Sequence, residues 1–194
     1  EVRRAVRVEL EANVRELRAI LEETEACLDR TDRFLRRSPA SLAAVPADST
    51  FYWVSGVSCR RTFEPAFGAA RALTGAPGFD SVDDLQVRAA VAGWVTAVED
   101  ATEEAAALSE HGDRVYGELS RYAAAAADDG LAGFPTIPRL AARAGPAVLA
   151  ELRTDTTLIR ATLRRAHYQQ AYDNELSEAL AAAERALALL ADGG

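Results

Sequence analysis

The most unusual polar stretch of the chain covers residues 167–175, close to the C-terminus. Gln169 and Asp173 occupy positions of a helical seam at which Leu or Ala stands on either side. An unpaired buried carboxylate is costly, so this pair needs polar partners. One interpretation is a ligand pocket or docking face with aromatic walls from Tyr168 and Tyr172. The alternative is a bundle that opens at this level, so that both polar side chains meet water.

The chain has two cysteines, Cys27 and Cys59. Cys27 lies on the apolar flank of a predicted N-terminal helix, and Cys59 lies in an irregular connection that must fold back beside that helix. A disulfide between them is therefore feasible in an oxidising compartment. The alternative is a pair of buried free thiols in a reducing compartment. Two cysteines are too few for a structural zinc site.

The two histidines, His111 and His167, fall on different predicted helices and form no HExxH pattern. A metal site needs at least three convergent ligands, so we predict no metal, and we expect His111 to lie on the surface. The sequence also lacks a Gly-rich phosphate loop, a nucleophile elbow, a calcium loop and a paired-carboxylate signature. It therefore predicts no cofactor, no catalytic residue and no enzymatic activity.

Aromatic residues are concentrated at positions 51–53, where Phe, Tyr and Trp follow one another. We expect them to fill the core at one end of a bundle. If Trp53 is instead exposed beside Arg60 and Arg61, the three would form an anchor for a protein partner, since Trp, Tyr and Arg dominate interface hot spots.

Three long helices are predicted, over about 1–37, 82–127 and 155–191, because apolar residues recur there at alternating spacings of three and four. The predicted seam of the first is Leu10, Val14, Leu17, Leu21, Thr24, Leu28, Thr31 and Leu35, with Asn13, Ile20, Cys27 and Phe34 on its flank. The predicted seam of the last is Ile159, Thr162, Ala166, Gln169, Asp173, Leu176, Leu180, Ala183, Leu187 and Leu190. Thr154 or Asp155 is the expected start of this last helix.

Pro and Gly punctuate the rest of the chain, which predicts shorter elements there. Within 38–81 we expect short helices at about 51–57 and 65–73, and within 139–152 two further helical turns. Aromatic content is low and alanine is abundant, a composition that favours helices over sheets. The prediction is an all-α, elongated helical bundle that forms a single domain over 1–194.

The charge balance argues against one class of partner. The chain has 30 acidic residues against 22 basic ones, all of them Arg, and a formal net charge of −8. A nucleic-acid-binding protein normally needs a basic stripe that releases counterions from phosphates. An acidic chain without such a stripe predicts that nucleic acid is not a partner.

Three segments resemble a known family. They are Val8, Glu9, Leu10, Glu11, Asn13 and Leu17; then Phe63 to Ala69; then Leu85, Arg88, Ala89, Ala92, Trp94, Val98 and Glu99. These patterns are similar to those of a group of small bacterial proteins, a domain of unknown function, in which one N-terminal membrane helix leads into a long charged helix and a helical domain. The family's Ser-Gly-x-Leu-x-Leu-Ile stretch is replaced here by Thr74 to Phe79. The resemblance implies a membrane-anchored helical domain and no catalytic residues.

These observations together predict a non-enzymatic structural or accessory subunit that binds a protein partner, with a membrane complex as one candidate. The alternative is a ligand-sensing bundle with a polar pocket near Gln169 and Asp173. The chain begins at Glu1 and contains no Met, so we expect further residues upstream, and the resemblance implies that they include a membrane anchor. A disulfide favours an extracytoplasmic, periplasmic domain, whereas Arg3, Arg4 and Arg7 beside a membrane helix favour the cytoplasmic side.

Overall fold

A computed structural model of the chain describes residues 1–38, 40–41, 44–46, 49, 52–53, 56, 61–75, 85–125 and 151–192. These residues form an all-α helical bundle, as the sequence predicts, and no strand occurs among them. The helices are α1 (Val2–Leu35), α2 (Gly68–Thr74), α3 (Leu85–Ala125) and α4 (Thr156–Asp192). The three long predictions are therefore confirmed to within three residues at each described end. The predicted helical turns at 139–150 lie outside the described residues, and so do residues 82–84, the predicted first residues of α3.

The chain divides into two compact units, each of which takes a part of all three long helices. Unit 1 comprises Glu1–Glu23, Arg61–Ala106 and Ala171–Gly194. Unit 2 comprises Thr24–Arg60 and Ala107–Gln170.

The buried face of α1 follows a heptad: one predicted seam row and the predicted flank are buried, whereas the other seam row is buried only at Val14. Leu10, Leu17, Thr24 and Thr31 are buried as expected. The second buried row is Val6, Asn13, Ile20, Cys27 and Phe34, whereas Leu21, Leu28 and Leu35 are half-buried. Apolar residues stand on both sides of the first row, so the sequence pattern alone does not choose between them; packing against the other helices does.

The same one-position difference occurs in α4. The row Thr162, Gln169, Leu176, Ala183 and Leu190 is buried as predicted. The partner row is Leu158, Arg165, Tyr172, Ala179 and Ala186, which leaves Leu180 and Leu187 half-buried. Small residues therefore cover much of the core face of the C-terminal half of α4, where a neighbouring backbone can approach closely.

In unit 1, three side chains hold the segment before α2 through its backbone. Asn13 donates from Nδ2 to Ala66 O (2.9 Å) and accepts from Ala66 N–H at Oδ1 (3.1 Å). Tyr172 accepts the Phe63 N–H at its hydroxyl oxygen (2.8 Å). Glu9 accepts the N–H groups of Ala69 (2.8 Å) and Ala70 (2.9 Å) and so caps α2 from another helix.

This arrangement corrects the predicted start of the short helix. Pro65 was expected in its first turn, yet α2 begins at Gly68. Phe67, which precedes it, makes no side-chain cap of its own. The carboxylate of Glu9 supplies the missing acceptor, so tertiary contacts rather than local residues decide where α2 begins.

In unit 2, Gly56 and Arg153 contact the last turns of α1. Gly56 lies so near α1 that an added Cβ would be 2.5 Å from the carbonyl oxygen of Cys27. Arg153 donates to the carbonyl oxygens of Leu35 (2.8 Å) and Arg37 (2.6 Å) and so satisfies acceptors left free at the end of α1.

None of the helices in the described ranges combines the length and the apolar character that crossing a bilayer requires.

Candidate binding groove

A groove of about 670 Å³ lies in unit 2 between α3 and α4. Helix α3 lines it with His111, Arg114, Gly117 and Glu118, and α4 with Thr157, Arg160, Ala161 and Arg164. Residues three and four apart share a face of a helix, so each set lies on one face of its helix. The helices run antiparallel here, since Tyr122 of α3 donates to Asp155 (2.7 Å) while His111 stacks on Tyr168 further along α4.

Two small residues keep the middle of the groove open. Gly117 of α3 and Ala161 of α4 are the two smallest residues of the lining. A Cβ built on Gly117 meets no atom within 4 Å, so the glycine is not required for packing. Its effect is to leave space that a larger side chain would fill.

The groove carries positive charge that the described part of the protein does not neutralise. Arg114 forms an ion pair with Glu110, and Glu118 forms one with Arg121. Neither Arg160 nor Arg164 has a hydrogen bond or an ion pair within the described ranges. Both guanidinium groups are exposed, and they lie one turn apart on α4.

His111 lies at one end of the groove and is only 8% exposed. The prediction that it lies on the surface is therefore wrong. Its ring stacks on Tyr168 with 4.2 Å between ring centroids and an angle of 25° between the planes. Burial lowers the pKa of His111 from its ordinary value, and the positive charges of Arg114 and Arg164 lower it further. The imidazole is therefore neutral at pH 7, and the charge of the groove comes from arginine.

The polar seam residues of the sequence are buried, so the interpretation that they meet water is wrong. Gln169, in unit 2, is 1% exposed and accepts a hydrogen bond from Arg165 Nη2 (3.3 Å). Arg165 itself is 2% exposed. Asp173 belongs to unit 1 and is also buried, and its backbone carbonyl accepts from Ser177 (2.7 Å).

The two aromatic neighbours of these residues have different surroundings. Tyr168 stacks on His111 and makes an edge contact with the exposed His167, with 5.7 Å between ring centroids. Tyr172 lies in unit 1 and is almost fully buried; desolvation raises the pKa of its hydroxyl, while the hydrogen bond from Phe63 opposes that shift. Tyr172 thus holds the segment before α2 and does not line the groove.

The remaining candidates that the structure describes do not lie in the groove lining. Trp53 is 9% exposed, with the guanidinium of Arg37 4.5 Å from its ring centroid. Tyr52 is 58% exposed beside Arg30. Arg61 forms an ion pair with Glu23 (2.7 Å) in unit 1. Cys27 is fully buried. Arg60, Cys59 and Phe51 lie outside the described residues.

The groove arginines are functional candidates that the sequence analysis missed. A signal was present, since Arg160 and Arg164 stand four residues apart on an otherwise weakly charged face of α4. What the sequence lacked was the register between α3 and α4, which places Arg114 and His111 opposite them. The arrangement offers planar, bidentate donors for an anion.

Within the described ranges, no group of three or more His, Cys, Asp or Glu side chains is placed to hold a metal ion. Comparison of the chain with protein-family models, with curated proteins and with solved structures found no match.

Proposed function

We propose that the chain is a non-enzymatic binding module, an accessory subunit that docks a protein partner in the groove between α3 and α4. The observation that carries the proposal is the pair of exposed arginines, Arg160 and Arg164, that forms no ion pair with any described residue. Rigid helices hold both backbones, so little ordering of the main chain is needed on binding.

We further propose that the domain is anchored to a membrane and faces the extracytoplasmic side. The segments that resemble the membrane-anchored family support the anchor. Arg3, Arg4 and Arg7 oppose that side by the positive-inside rule, whereas a disulfide favours it.

The disulfide in this proposal joins Cys27 to Cys59. Cys27 is fully buried, no described cysteine is free, and the chain has one other cysteine. Gly56, three residues before Cys59, lies against the turn of α1 that contains Cys27. We expect no titratable thiol in unreduced, denatured protein. Two thiols per chain would remove the disulfide and, with it, the main support for an oxidising compartment.

The direct test of the binding function uses the full-length protein in its native cells. Extraction in mild detergent, after cross-linking, should recover one protein partner in fixed ratio, as identified by mass spectrometry. Recovery of the protein alone, with and without cross-linking, would overturn the accessory-subunit proposal.

A ligand-sensing function is the second candidate. It is favoured by the size of the groove, since pockets for small molecules measure roughly 300–1,000 Å³. A small anion that binds there should raise the melting temperature of the wild type and leave that of the Arg160→Gln/Arg164→Gln variant unchanged. If a partner protein co-purifies and no small anion shifts the melting temperature, the accessory-subunit function is supported instead.

A further inference from the structure

We infer that the groove recognises an acidic segment of its protein partner, with one carboxylate of that segment on Arg160 and a second on Arg164. The inference rests on the proposed function and names the chemistry of the partner at the same site. The charges, the spacing of the arginines and the open shape of the groove all favour such a segment.

The charges of the lining indicate how many carboxylates the segment presents. Arg114 and Glu118 are already paired with Glu110 and Arg121. His111 adds no charge at pH 7, because burial and the nearby arginines hold its pKa below the ordinary value. The two exposed arginines of α4 therefore present two positive charges that acidic side chains can neutralise one to one.

The spacing suits a peptide. Side chains four apart on a helix have Cβ atoms about 5–6 Å from each other, and the long arms of arginine can widen or narrow that distance at their ends. Each guanidinium can bind a carboxylate through two parallel hydrogen bonds. Glutamates or aspartates at neighbouring positions of an extended or helical segment can therefore reach both arginines together.

The middle of the groove allows such a segment to approach. Gly117 and Ala161 leave the centre open, and the neutral ring of His111 at one end places no charge there. The whole chain, by contrast, carries a net charge of −8. A dense polyanion such as nucleic acid would be repelled by that excess, whereas a short acidic segment meets mainly the local charge of the groove.

The test is a titration of the purified chain against a fluorescent peptide of alternating glutamate and serine, followed by anisotropy at low salt. The same peptide with glutamine in place of glutamate is the matched ligand control. We expect binding of the first and not of the second, and a weaker affinity as salt rises. No binding of the glutamate peptide, or equal binding of the two peptides, would overturn the inference.

Variants of the chain locate the binding. Arg160→Gln and Arg164→Gln should each weaken the affinity about tenfold, since each removes a hydrogen-bonded charge pair. Arg185→Gln, at an exposed arginine of α4 outside the groove lining, should change nothing. Wild-type affinity in the Arg160→Gln/Arg164→Gln double variant would show that the peptide binds elsewhere.

A second pair of variants tests the groove without removing a charge. Gly117→Gln fills the open centre, and Gly93→Gln places the same side chain on α3 in unit 1, where an added Cβ also meets no atom within 4 Å. Only the first should weaken peptide binding, while circular dichroism shows that both variants remain folded. Equal affinities of the two variants would contradict the groove as the site.

Two further results separate this inference from the proposed function. Inorganic phosphate or citrate that saturates the groove, in place of the peptide, would favour a small-anion site and overturn the acidic segment. A partner that the full-length protein captures equally well with and without Arg160 and Arg164 would overturn the inference and the groove as the docking site, while the accessory role itself would stand. Absence of any captured partner would overturn the accessory role, and with it the partner segment, even if the groove still binds the glutamate peptide.

Discussion

At the scale of single residues, Gly56 shows how closely the connection in unit 2 approaches α1. A Cβ there would be 2.5 Å from Cys27 O and 2.8 Å from both Arg30 Cβ and Thr31 Oγ1. We expect Gly56→Ala to lower the free energy of unfolding by about 1–3 kcal/mol, because the backbones must separate. Gly93→Ala is the control and should raise it by roughly 0.5–1 kcal/mol, since the helical backbone gains rigidity and the Cβ meets open space. Urea unfolding of both variants measures the difference, and equal effects would contradict the close approach.

Thr162 is a second residue with a measurable consequence. It is 1% exposed, and its hydroxyl has no hydrogen-bond partner among the residues that the structure describes. Thr162→Val replaces that hydroxyl with a methyl of similar size, so we expect a gain of about 1 kcal/mol in the free energy of unfolding. The equally buried Thr31 donates to Cys27 O (2.9 Å), so Thr31→Val should bring no gain. A loss of stability in Thr162→Val, measured by the same urea titration, would mean that the hydroxyl is bonded in solution.

Between elements, Asn13 joins α1 to the segment before α2. Its amide matches both the N–H and the C=O of Ala66. Asn13→Leu replaces the amide with an apolar group of similar size and leaves two partly buried backbone groups without partners. We expect a loss of about 2–4 kcal/mol in the free energy of unfolding and faster hydrogen exchange at 63–70. Unchanged exchange there would show that the amide does not hold the segment.

The start of α4 predicts a pH dependence. Asp155 accepts the N–H groups of Thr157 (2.8 Å) and Leu158 (3.1 Å) at Oδ1, which confirms it as the expected helix start. The hydrogen bond from Tyr122 is the largest cause that lowers the pKa of Asp155, with the backbone N–H groups and Arg121 adding to it and burial opposing it. A carboxyl whose pKa is lower in the folded state stabilises the fold above its unfolded pKa, near 4, and loses that effect as pH falls through the folded value.

Asp155→Ala should therefore cost about 1–2 kcal/mol at pH 7 and progressively less below pH 4. Thermal unfolding of wild type and variant across this range measures the cost. Asp29→Ala is a suitable control, because its ion pair with Arg33 is 56% exposed on both sides and should contribute little at any pH. A cost for Asp155→Ala that stays constant down to pH 2 would exclude the carboxylate as its source.

The elements also show what a single sequence can and cannot predict. Spacing of apolar residues located all three long helices, and the Thr-Asp pair located the start of α4, because both signals are local. In α1 and α4 one row of the seam was predicted correctly and the other was displaced by one position. Arg165 and Tyr172 occupy that other row in α4. Because the prediction follows the spacing of apolar residues, it does not place an arginine in the core. The groove needed the register between α3 and α4, which no local pattern contains.

On the scale of the whole chain, the proposed disulfide has the largest expected effect. It closes a loop of about 30 residues, for which chain entropy gives about 3.5 kcal/mol. For a chain of this size, reduction should lower the melting temperature by roughly 7–14 °C. The Cys27→Ser/Cys59→Ser variant should melt near the temperature of the reduced wild type and be insensitive to reductant. A wild type whose melting temperature ignores reductant would refute the cross-link.

Unit 1 has a property that bears on engineering and on sequence divergence. Asn13, Tyr172 and Glu9 bind only main-chain atoms of residues 63, 66, 69 and 70. Every amino acid except proline carries those atoms, so the three contacts place almost no demand on residue identity in the segment. Exposed residues there, such as Arg61, Thr62 and Glu64, can therefore be substituted, provided that no proline is introduced at the four hydrogen-bonded positions. The segment is thus a ready site for grafting a foreign epitope onto a helical scaffold.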